Sequence, residues 1–488
     1  MFGTLALDLY LLKTVMHPFP YKRAHFIGIG GVGMSATAKL LRDSGVAVTG
    51  SDEAVYPPVS HLLRDENLAC ATPYDPANIP ADVEVFVIGK NARLVPDSNA
   101  EVAAAFASGR PILSFADVLG LLSQDSQTLV AAGAFGKTTS VSMMAHCLRG
   151  AGLDPSFMIG AVPLSPSTPA HAGTGRHFLL EGDEYPSSNS DDRSKFLHYH
   201  PDHLLITPLA HDHVNVFPTV NDYLAPFSQL VAGMPADGLV VASTGGELSE
   251  QFLRSLTRSY VTYGISDGEW QVRDIEWGER SQFTIVHGGR EIARLETGQL
   301  GIHNIENMLG VGAFLLSLGL IGADQLAAAM ASFKGIKRRL DRKPGNTTIP
   351  IFEGFGSSYD KARSAIAAMR QHFPDRPLTV IFEPHTFSWR NKATLHWYDD
   401  VFEGSEQVYV WQPAEQGAGT HDQVTQDEIV ARIAAAGFNV TGLDNAIDAG
   451  SDICDALPAG AAILFLTSGD LGGLIETLPP LVEQRFPV

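Results

Sequence analysis

A lysine set between glycines and threonines gives the strongest chemical signal in this sequence. The stretch AAGAFGKTTS, residues 131–140, contains the pattern G-x-x-G-K-T-T. Its members are Gly133, Gly136, Lys137, Thr138 and Thr139. Backbone N–H groups and the lysine of such a loop bind the β- and γ-phosphates of ATP, and the first threonine hydroxyl binds Mg²⁺. The longer ATP-binding pattern fails here because Ala131 stands where that pattern has its first glycine.

A second glycine-rich loop lies earlier in the chain. The stretch HFIGIGGVGMS, residues 25–35, satisfies G-x-G-x-x-G between a predicted strand and a predicted helix. The residues concerned are Gly28, Gly30, Gly31 and Gly33, with Asp52 at the end of the next predicted strand. Such glycines let the backbone approach a diphosphate at a helix N-terminus. The same physics serves any diphosphate, so this loop taken alone favours a nicotinamide oxidoreductase and leaves other nucleotide ligands open.

Acidic and imidazole side chains follow two apolar stretches after the lysine. FLLEGDE places Glu181, Asp183 and Glu184 where one predicted strand stops. LLITPLAHDH places Asp212 and His213 after another. Ligands of open α/β sheets bind outside the carboxyl ends of the strands, so both groups of side chains are expected to face the lysine-bearing loop. Carboxylate and imidazole groups can hold Mg²⁺ against nucleotide phosphates. The sequence therefore predicts a magnesium site formed by Thr138, Glu181 and His213.

The bulk composition excludes several classes of protein. The chain has 488 residues, a hydrophobic content of 45% and a charged content of 18%, as expected for a globular protein of several domains. The formal net charge of −20 argues against a nucleic-acid partner, since no basic stripe offsets it. The three cysteines lie far apart, which indicates neither a disulfide framework nor a zinc site and suits a reducing cytoplasm.

The N-terminal stretch MFGTLALDLYLLKTVMHPFPYKR is not expected to be a signal peptide. Asp8 interrupts its apolar run, no basic region precedes that run, and no small-residue cleavage site follows. We expect this stretch to form a strand or helix beside the first domain. No part of the chain has the ~20 uninterrupted apolar residues of a membrane span, so no membrane partner is predicted.

Strand and helix patterns alternate along most of the chain. An apolar run followed by helical spacing recurs in three series, which begin at AHFIGIG, QTLVAAG and TIPIFEGF. Such alternation predicts an α/β fold with largely parallel sheets. The expected domains are a Rossmann-like domain over residues 1–122, a P-loop ATPase domain over 123–341 and a second Rossmann-like domain over 342–488.

The set and order of these motifs resembles the Mur ligases, the ATP-dependent amino-acid ligases of bacterial cell-wall synthesis. The resemblance rests on both glycine-rich loops and on EGDEY, HDH, GIHNIEN and KGIKRRLD, and it covers the chain from about residue 24 to its end. It implies a cytoplasmic enzyme that uses ATP and Mg²⁺ and forms an amide bond through an acyl phosphate. It also implies a reason for two phosphate-binding loops, since the N-terminal domain of these ligases holds a UDP-sugar and the central domain holds ATP.

The resemblance further implies the substrates. EGDEYPSSNSDDRSKFLHYHP and FKGIKRRLD are similar to the branch of the family that joins UDP-N-acetylmuramate to the murein tripeptide L-Ala-γ-D-Glu-meso-diaminopimelate in peptidoglycan recycling. The branch that adds L-alanine to the same UDP-sugar usually lacks DDRSKF and HYHP, and it is the first alternative. A catalytically impaired nucleotide-binding relative is the second. The sequence indicates no oligomeric state.

Residue by residue, the resemblance implies individual roles. Lys137 matches the phosphate-binding lysine, and the matching magnesium ligands are Thr138, Glu181 and His213. Arg339 of KRRLD matches an arginine near the γ-phosphate, and Arg338 beside it is expected to lie on a solvated basic face. The remaining matches are His303, Asn304 and Asn307 of GIHNIEN for the adenine side, and His385 and Arg390 of EPHTFSWRNK for the acceptor.

Three positions depart from the family pattern. The threonine-histidine pair inside the lysine-bearing loop is Ala134-Phe135 here, and EADE has become EGDE. In IFEGFGSSYDKA, residues 351–362, Ser357 and Ser358 stand where the family has two histidines. The first and third departures remove polar groups expected near a nucleotide, which motivates the alternative of an impaired relative.

Overall fold

The computed structural model describes residues 18–56, 59–213, 216–413, 422–444 and 446–488. Three sheets of five, ten and six strands follow one another along the chain, with helices between the strands. The N-terminal stretch for which a strand or helix was expected lies almost entirely outside the described residues. Among the residues that are described, no helix is long and apolar enough to cross a membrane.

The first sheet is parallel and has the strand order β3-β2-β1-β4-β5. Its strands are β1 (Arg23–Ile27), β2 (Ala47–Ser51), β3 (Ala69–Ala71), β4 (Val85–Ile88) and β5 (Ile112–Leu113). The accompanying helices are α1 (Val32–Asp43), α2 (Val59–Asp65), α3 (Ala100–Ala107) and α4 (Phe115–Ser123). From β1 the chain passes to β2 and β3 on one side of β1. It then returns to β4 on the other side of β1 and passes to β5. The crevice between the carboxyl ends of β1 and β4 is therefore the topological switch point of this sheet.

The second sheet has the order β15-β14-β13-β12-β11-β10-β6-β9-β7-β8. Its strands are β6 (Gln127–Ala132), β7 (Ser156–Met158), β8 (Ala170–His171), β9 (His177–Gly182), β10 (His203–Ile206), β11 (Val240–Ser243), β12 (Val261–Tyr263), β13 (Trp270–Glu276), β14 (Ser281–His287) and β15 (Arg290–Thr297). The helices are α5 (Lys137–Gly150), α6 (Val220–Ala232), α7 (Ser249–Ser255), α8 (Ile302–Ser317) and α9 (Ala323–Ser332). Strand β6 pairs in parallel with β9 on one side and β10 on the other, so the carboxyl ends of all three meet at one edge.

Local sequence explains where several helices begin. Helix α4 starts with a capping box, in which the Ser114 hydroxyl accepts the Asp117 N–H and the Asp117 carboxylate accepts the Ser114 N–H. Thr219 and Asp222 form the same reciprocal pair at the start of α6. Each box satisfies two backbone donors that have no partner inside the helix.

One buried apolar cluster contains side chains of both the first and the second sheet. Phe26 of β1, Leu119 of α4 and Phe178 of β9 all belong to it, and none of the three is exposed to solvent. Strands buried on both faces consist of continuous apolar runs, which is what the sequence shows for β1, β4 and β6. Because this core is continuous, the loops at the ends of β1, β4, β6 and β9 are held by a single packed body.

The third sheet has the order β16-β17-β21-β18-β19-β20. Its strands are β16 (Arg339–Arg342), β17 (Ile351–Gly354), β18 (Leu378–Phe382), β19 (Gln407–Trp411), β20 (Val440–Leu443) and β21 (Ala462–Leu466). The helices are α10 (Tyr359–His372), α11 (Phe387–Arg390), α12 (Gln426–Ala435), α13 (Ala446–Ala456) and α14 (Leu474–Arg485). Strand β16 is antiparallel to β17, and the other pairings are parallel.

The chain divides into two compact units. The first comprises the described residues of Met1–Asp274, Phe283–Leu295 and Ile305–Phe333, and the second comprises those of Ile275–Gln282, Glu296–Asn304 and Lys334–Val488. The predicted α/β fold with largely parallel sheets is confirmed. The predicted domain limits stay predictions, and the structure places residue 122 inside α4 and residue 341 inside β16.

Candidate active site

The lysine loop, residues 133–139, joins the end of β6 to the start of α5. Gly133 and Gly136 have φ values of 145° and 86°, a region that L side chains rarely adopt. A Cβ at Gly133 would lie 2.2 Å from Thr207 Oγ1, and one at Gly136 would lie 2.2 Å from Asn307 Oδ1. Both glycines are therefore required by conformation and by close packing. Thr139, in the first turn of α5, is buried.

The Lys137 ammonium is held on both sides. Its Nζ donates to the Gly133 carbonyl at 2.6 Å and to Glu184 Oε2 at 2.7 Å. Glu184 is fully buried, and this burial raises the pKa of its carboxyl group although the Lys137 charge acts in the opposite direction. Glu184 Oε1 accepts no hydrogen bond from a described residue, and His213 Nε2 lies 3.5 Å from it. The lysine is thus positioned by Glu184, which the sequence placed at the strand end facing this loop but to which it assigned no role.

Two of the three predicted magnesium ligands are in direct contact. The Thr138 hydroxyl donates to Glu181 Oε1 at 2.6 Å, and Glu181 Oε2 accepts the Gly160 N–H at 2.9 Å. The third, His213, lies beside Glu184 instead. No group of three or more His, Cys, Asp or Glu side chains in the described ranges is arranged to hold a metal. A hydroxyl and a carboxylate still fit Mg²⁺, which binds few protein ligands together with waters and substrate phosphates.

In the first glycine loop, residues 28–33, several backbone N–H groups donate hydrogen bonds to other groups of the protein. The N–H groups of Gly28 and Ile29 donate to the Ser51 carbonyl, and the Gly30 N–H donates to Asp52 Oδ2 at 2.7 Å. Gly31, the N-cap of α1, provides no side-chain cap for the first turn of that helix. The part of this region that remains suited to an anion is therefore the N-terminus of α1.

A single cavity of about 470 Å³ connects the first glycine loop to the acidic strand end beside the lysine loop. It is lined by Gly28, Gly30, Gly31, Gly33 and Asp52 on one side, and by Gly160, Glu181, Asp183 and Lys195 on the other. Glu181 of this lining accepts a hydrogen bond from Thr138, so one side chain separates the cavity from the lysine loop. A ligand at the first glycine loop can thus extend toward a nucleotide phosphate at the lysine loop.

Sequence reasoning missed two lysines of this cavity. Lys195 is nearly buried, pairs with Asp183 at 2.6 Å, and lies 5.5 Å from the ring centres of Phe115 and Tyr185. Lys90 lies after β4, and its ammonium is also 5.5 Å from the Tyr185 ring centre. Lys195 belongs to the DDRSKF segment that the sequence analysis used only for its resemblance. For Lys90, its place directly after a buried strand was the available signal.

The predicted adenine-side residues lie in the first two turns of α8. Asn307 is buried against Gly136 of the lysine loop, as the close approach of its amide oxygen shows. In the second compact unit, Asn304 donates its amide N–H to the Leu300 carbonyl at 2.8 Å. Burial lowers the pKa of His303, and the charges of His372 and Arg339 act in the same direction. Of these three residues, the structure brings Asn307 to the lysine loop.

The two arginines of KRRLD differ in their surroundings. Arg339, the first residue of β16, is exposed. Arg338 was expected on a solvated basic face, but its guanidinium donates to the carbonyls of Ser468 and Gly469 and lies 3.2 Å from Glu353. That expectation was wrong, because the buried Glu353 carboxylate requires cationic partners and Arg338 is one of them.

The predicted acceptor residues belong to the second compact unit. His385 Nδ1 lies 3.5 Å from Glu383, a buried carboxylate at the end of β18. Arg390 is the last residue of α11 and is only 7% exposed. Ser357 is one of the two residues that replace the family histidines. Its backbone carbonyl accepts a hydrogen bond from the Thr386 hydroxyl at 3.0 Å. These loops follow β17 and β18 at the carboxyl edge of the third sheet.

The fold and the two loops define a class of protein, the nucleotide-dependent ligases built from three α/β domains. The Mur ligase middle domain matches residues 131–315, and the Mur ligase family catalytic domain matches residues 23–127. A UDP-N-acetylmuramate–L-alanine ligase of Acidithiobacillus ferrooxidans is 31% identical over 95% of this chain and 98% of its own. The chain belongs to the Mur ligase family, whose members are ATP-dependent ligases that form amide bonds in peptidoglycan biosynthesis.

Two solved structures are similar over their full lengths. The UDP-N-acetylmuramate–alanine ligase of Thermotoga maritima has a TM-score of 0.77 at 22% identity and covers 95% of this chain and 99% of its own. The UDP-N-acetylmuramate:L-alanyl-γ-D-glutamyl-meso-diaminopimelate ligase of Neisseria meningitides has a TM-score of 0.59 at 30% identity and covers 65% of this chain and 100% of its own. The resemblance to the family and the predicted ligase class are confirmed. Between the two acceptors, the names of the curated relatives that share most of the chain's length favour the alternative, L-alanine, over the tripeptide.

Proposed function

We propose that this protein joins the carboxylate of UDP-N-acetylmuramate to the amino group of L-alanine at the expense of ATP. The observation that carries the proposal is the cavity that runs from the first glycine loop to Glu181, because it can hold a UDP-sugar whose acid group points at the lysine loop. The relatives that share most of the chain's length are named for this reaction. ATP and UDP-sugars are cytoplasmic compounds, so we place the reaction in the cytoplasm.

The murein tripeptide is the second candidate acceptor. The segment of residues 183–200 supports it, since this segment resembles the tripeptide-adding branch and the Neisseria meningitides structure carries that activity in its name. In this chain the segment contributes Lys195 to the cavity wall. Its Asn189 amide also donates to the carbonyls of Asn91 and Leu94, which fastens the segment to the loop after β4.

The proposed reaction has two steps. A carboxylate oxygen of the UDP-sugar attacks the γ-phosphorus of ATP, the bond to the β-phosphate oxygen breaks, and ADP leaves. The amine nitrogen of the acceptor then attacks the carbonyl carbon of the acyl phosphate. Collapse of the tetrahedral intermediate breaks the carbon–oxygen bond, releases inorganic phosphate and, after loss of a proton from nitrogen, leaves the amide.

Charge neutralisation is the main task of the site. Two unit anions about 4 Å apart repel by about 4 kcal/mol at an effective dielectric constant of 20, so cations must lie between them. We assign Lys137 to the transferred phosphoryl group, with Gly133, Gly136 and Thr139 shaping the loop. Mg²⁺ held by Thr138 and Glu181 would supply further positive charge to the phosphates, and the assignment of His213 as a third ligand rests on the resemblance alone. Glu184 keeps the ammonium group of Lys137 oriented before ATP binds.

The remaining assignments rest on the resemblance together with the placements above. Asn307 is proposed for the adenine side because it packs against the lysine loop, and His303 and Asn304 share its helix. Arg339 is proposed for the γ-phosphate. His385 and Arg390 are proposed for the acceptor, on loops at the carboxyl edge of the third sheet where ligands of α/β sheets bind.

Release of inorganic phosphate from ATP tests the function. The enzyme is incubated with ATP, Mg²⁺ and UDP-N-acetylmuramate, first with L-alanine and then with the tripeptide. Release with L-alanine alone is the expected result. Release with the tripeptide alone would establish the second candidate. Release with neither acceptor would identify an impaired relative, for which Ala134-Phe135 and Ser357-Ser358 supply the reason. Turnover that requires a nicotinamide dinucleotide would overturn the proposal altogether.

A further inference from the structure

Lys90 follows β4 directly at the switch point of the first sheet. Strand β4 pairs with β1, and the Gly89 N–H donates to the Ile27 carbonyl at 2.9 Å, so the two strands end side by side. A Cβ at Gly28 would lie 3.8 Å from the Gly89 Cα atom. The residue after Gly89 therefore faces the first glycine loop across the crevice in which open α/β sheets bind nucleotides.

The Lys90 ammonium has no anionic partner of its own. It makes no hydrogen bond and no ion pair with any residue in the described ranges, although it lines the cavity. Its contact is the ring of Tyr185, at 5.5 Å. The other lysine of the cavity lining, Lys195, is instead neutralised by Asp183 at 2.6 Å. Lys90 is exposed. Partial desolvation lowers the pKa of its ammonium, the charges of Asp192 and Asp183 act against this, and the charge of Lys195 acts with it.

The first glycine loop needs such a cation. Its amide groups at Gly28, Ile29 and Gly30 already donate to Ser51 and Asp52. Asp52 also places a negative charge next to the loop. Only the uncapped N-terminus of α1 remains for an anion, and a helix N-terminus carries a partial charge of about half a unit. A diphosphate with two or more negative charges would meet too little positive charge from these groups alone.

We propose that Lys90 binds the diphosphate of the nucleotide-sugar substrate, opposite the N-terminus of α1. This inference rests on the proposed function for the choice of a UDP-sugar. The diphosphate is remote from the reacting carboxylate, so Lys90 binds ground state and transition state equally. Its removal therefore raises the KM for the UDP-sugar and leaves kcat unchanged.

Isothermal titration calorimetry with three ligands tests the assignment. UDP and UDP-N-acetylglucosamine carry the diphosphate without the lactyl carboxylate, and UDP-N-acetylmuramate carries both. The variant Lys90→Gln is expected to bind all three about 10- to 100-fold more weakly, the worth of one charge-assisted hydrogen bond. Lys90→Arg keeps the charge and is expected to restore most of the affinity. The matched control is Arg93→Gln, an exposed cation of the same loop outside the cavity lining, which should change nothing.

The outcomes separate this inference from the proposed function. Unchanged affinity of Lys90→Gln for UDP and UDP-N-acetylglucosamine would overturn the inference, and weakened binding of UDP-N-acetylmuramate alone would reassign Lys90 to the carboxylate and overturn it as well. Wild-type protein that binds the UDP-sugars without releasing phosphate would remove the proposed function while the Lys90 result stands. Wild-type protein that binds none of the three ligands would remove both.

Discussion

The two glycine loops both join a strand to a helix, and they differ in the source of their positive charge. The lysine loop contains its own cation, Lys137, which is held by Gly133 and Glu184 before any ligand arrives. The first glycine loop contains none, and three of its amides are already used by Ser51 and Asp52. Its cation, Lys90, comes from a neighbouring strand. The loop to which we assign the transferred phosphoryl group thus contains its own cation, whereas the loop to which we assign the diphosphate receives one from the end of a neighbouring strand.

The glycines of the two loops are required for different reasons. Gly133 has a φ of 145° and would collide with the Thr207 backbone if it carried a Cβ. Gly31 of the first loop has no such constraint, since a Cβ there would meet its nearest heavy atom at 3.6 Å. Gly133 is therefore constrained by the protein around it, whereas the position of Gly31 leaves space for a ligand. Gly28 of the first loop, with a φ of 89°, shares the constraint of Gly133.

Removal of the built-in charge is expected to have the largest effect. In Lys137→Met, phosphate release should fall by about a thousandfold or more, because a preorganised cation at the transferred phosphoryl group is lost. Single-turnover phosphate release measures this. The double variant Lys137→Met/Glu184→Gln removes the stranded buried carboxylate as well, and it should recover stability without recovering activity.

Arg149 provides the control for that experiment, since it is an exposed cation at the far end of the same helix, α5. Arg149→Gln should keep wild-type turnover. If Lys137→Met retained turnover within a few-fold of wild type, the contrast between the two loops would have no chemical basis.

Glu184→Gln should have the next largest effect. The substitution keeps the shape of the side chain but removes the charge that orients Lys137, so kcat/KM for ATP should fall about 10- to 100-fold, the value of one charge-assisted hydrogen bond. Binding of UDP-sugars should remain unchanged. The control is Glu250→Gln, which removes an exposed carboxylate paired with Arg254. A loss of UDP-sugar affinity in Glu184→Gln would show that the two loops do not act independently.

A pair of glycine substitutions tests the steric difference. Gly133→Ala should lower the free energy of unfolding by about 2–4 kcal/mol, from backbone strain and the clash with Thr207. Gly31→Ala should change it by no more than about 1 kcal/mol, the scale of a changed N-cap, while weakening UDP-sugar binding because the methyl group enters the cavity. Urea unfolding midpoints and calorimetry measure the two quantities. Equal destabilisation by both substitutions would contradict this steric difference between Gly133 and Gly31.

The smallest effect is expected from a substitution at the amino edge of the second sheet, opposite the site. It should change stability alone. His177, the first residue of β9, is 3% exposed, and its ring nitrogens have no hydrogen-bond partner among the described residues. Burial, with the charge of Arg176, lowers the pKa of His177 to about 4. The unfolded chain, with a histidine pKa of about 6.5, binds the proton first, so acidification through this window favours unfolding.

The free energy of unfolding of wild type should therefore fall on acidification from about pH 7 to about pH 4. In His177→Gln this fall should be smaller by about 1–3 kcal/mol. Thermal unfolding midpoints across that range measure the difference. His61→Gln, which removes an exposed histidine, should show the wild-type pH dependence. Neither variant should alter the KM for ATP or for the UDP-sugar at neutral pH, and a change there would show that the site extends beyond the carboxyl edge.

Most of the architecture could be predicted from local patterns. Continuous apolar runs such as VFVI of β4 indicate buried parallel strands, and glycines before a helical stretch indicate phosphate loops. The acidic residues Glu181 and Asp183 could be placed at a strand end for the same reason. Their partners could not, because Lys195 reaches Asp183 through a segment without regular periodicity. Arg338 was misplaced because the buried Glu353 that binds it lies on a different strand.

The sequence by itself determined the α/β alternation, the two glycine loops and the lysine and threonines of the second one, because each depends on residues adjacent along the chain. Only the tertiary structure decided which distant side chains meet, namely Lys137 with Glu184, Thr138 with Glu181, and Lys90 with Tyr185. The physical reason is strand order. Pairing of β1 with β4 and of β6 with β9 places the ends of distant strands side by side, and no local pattern encodes which strands become neighbours.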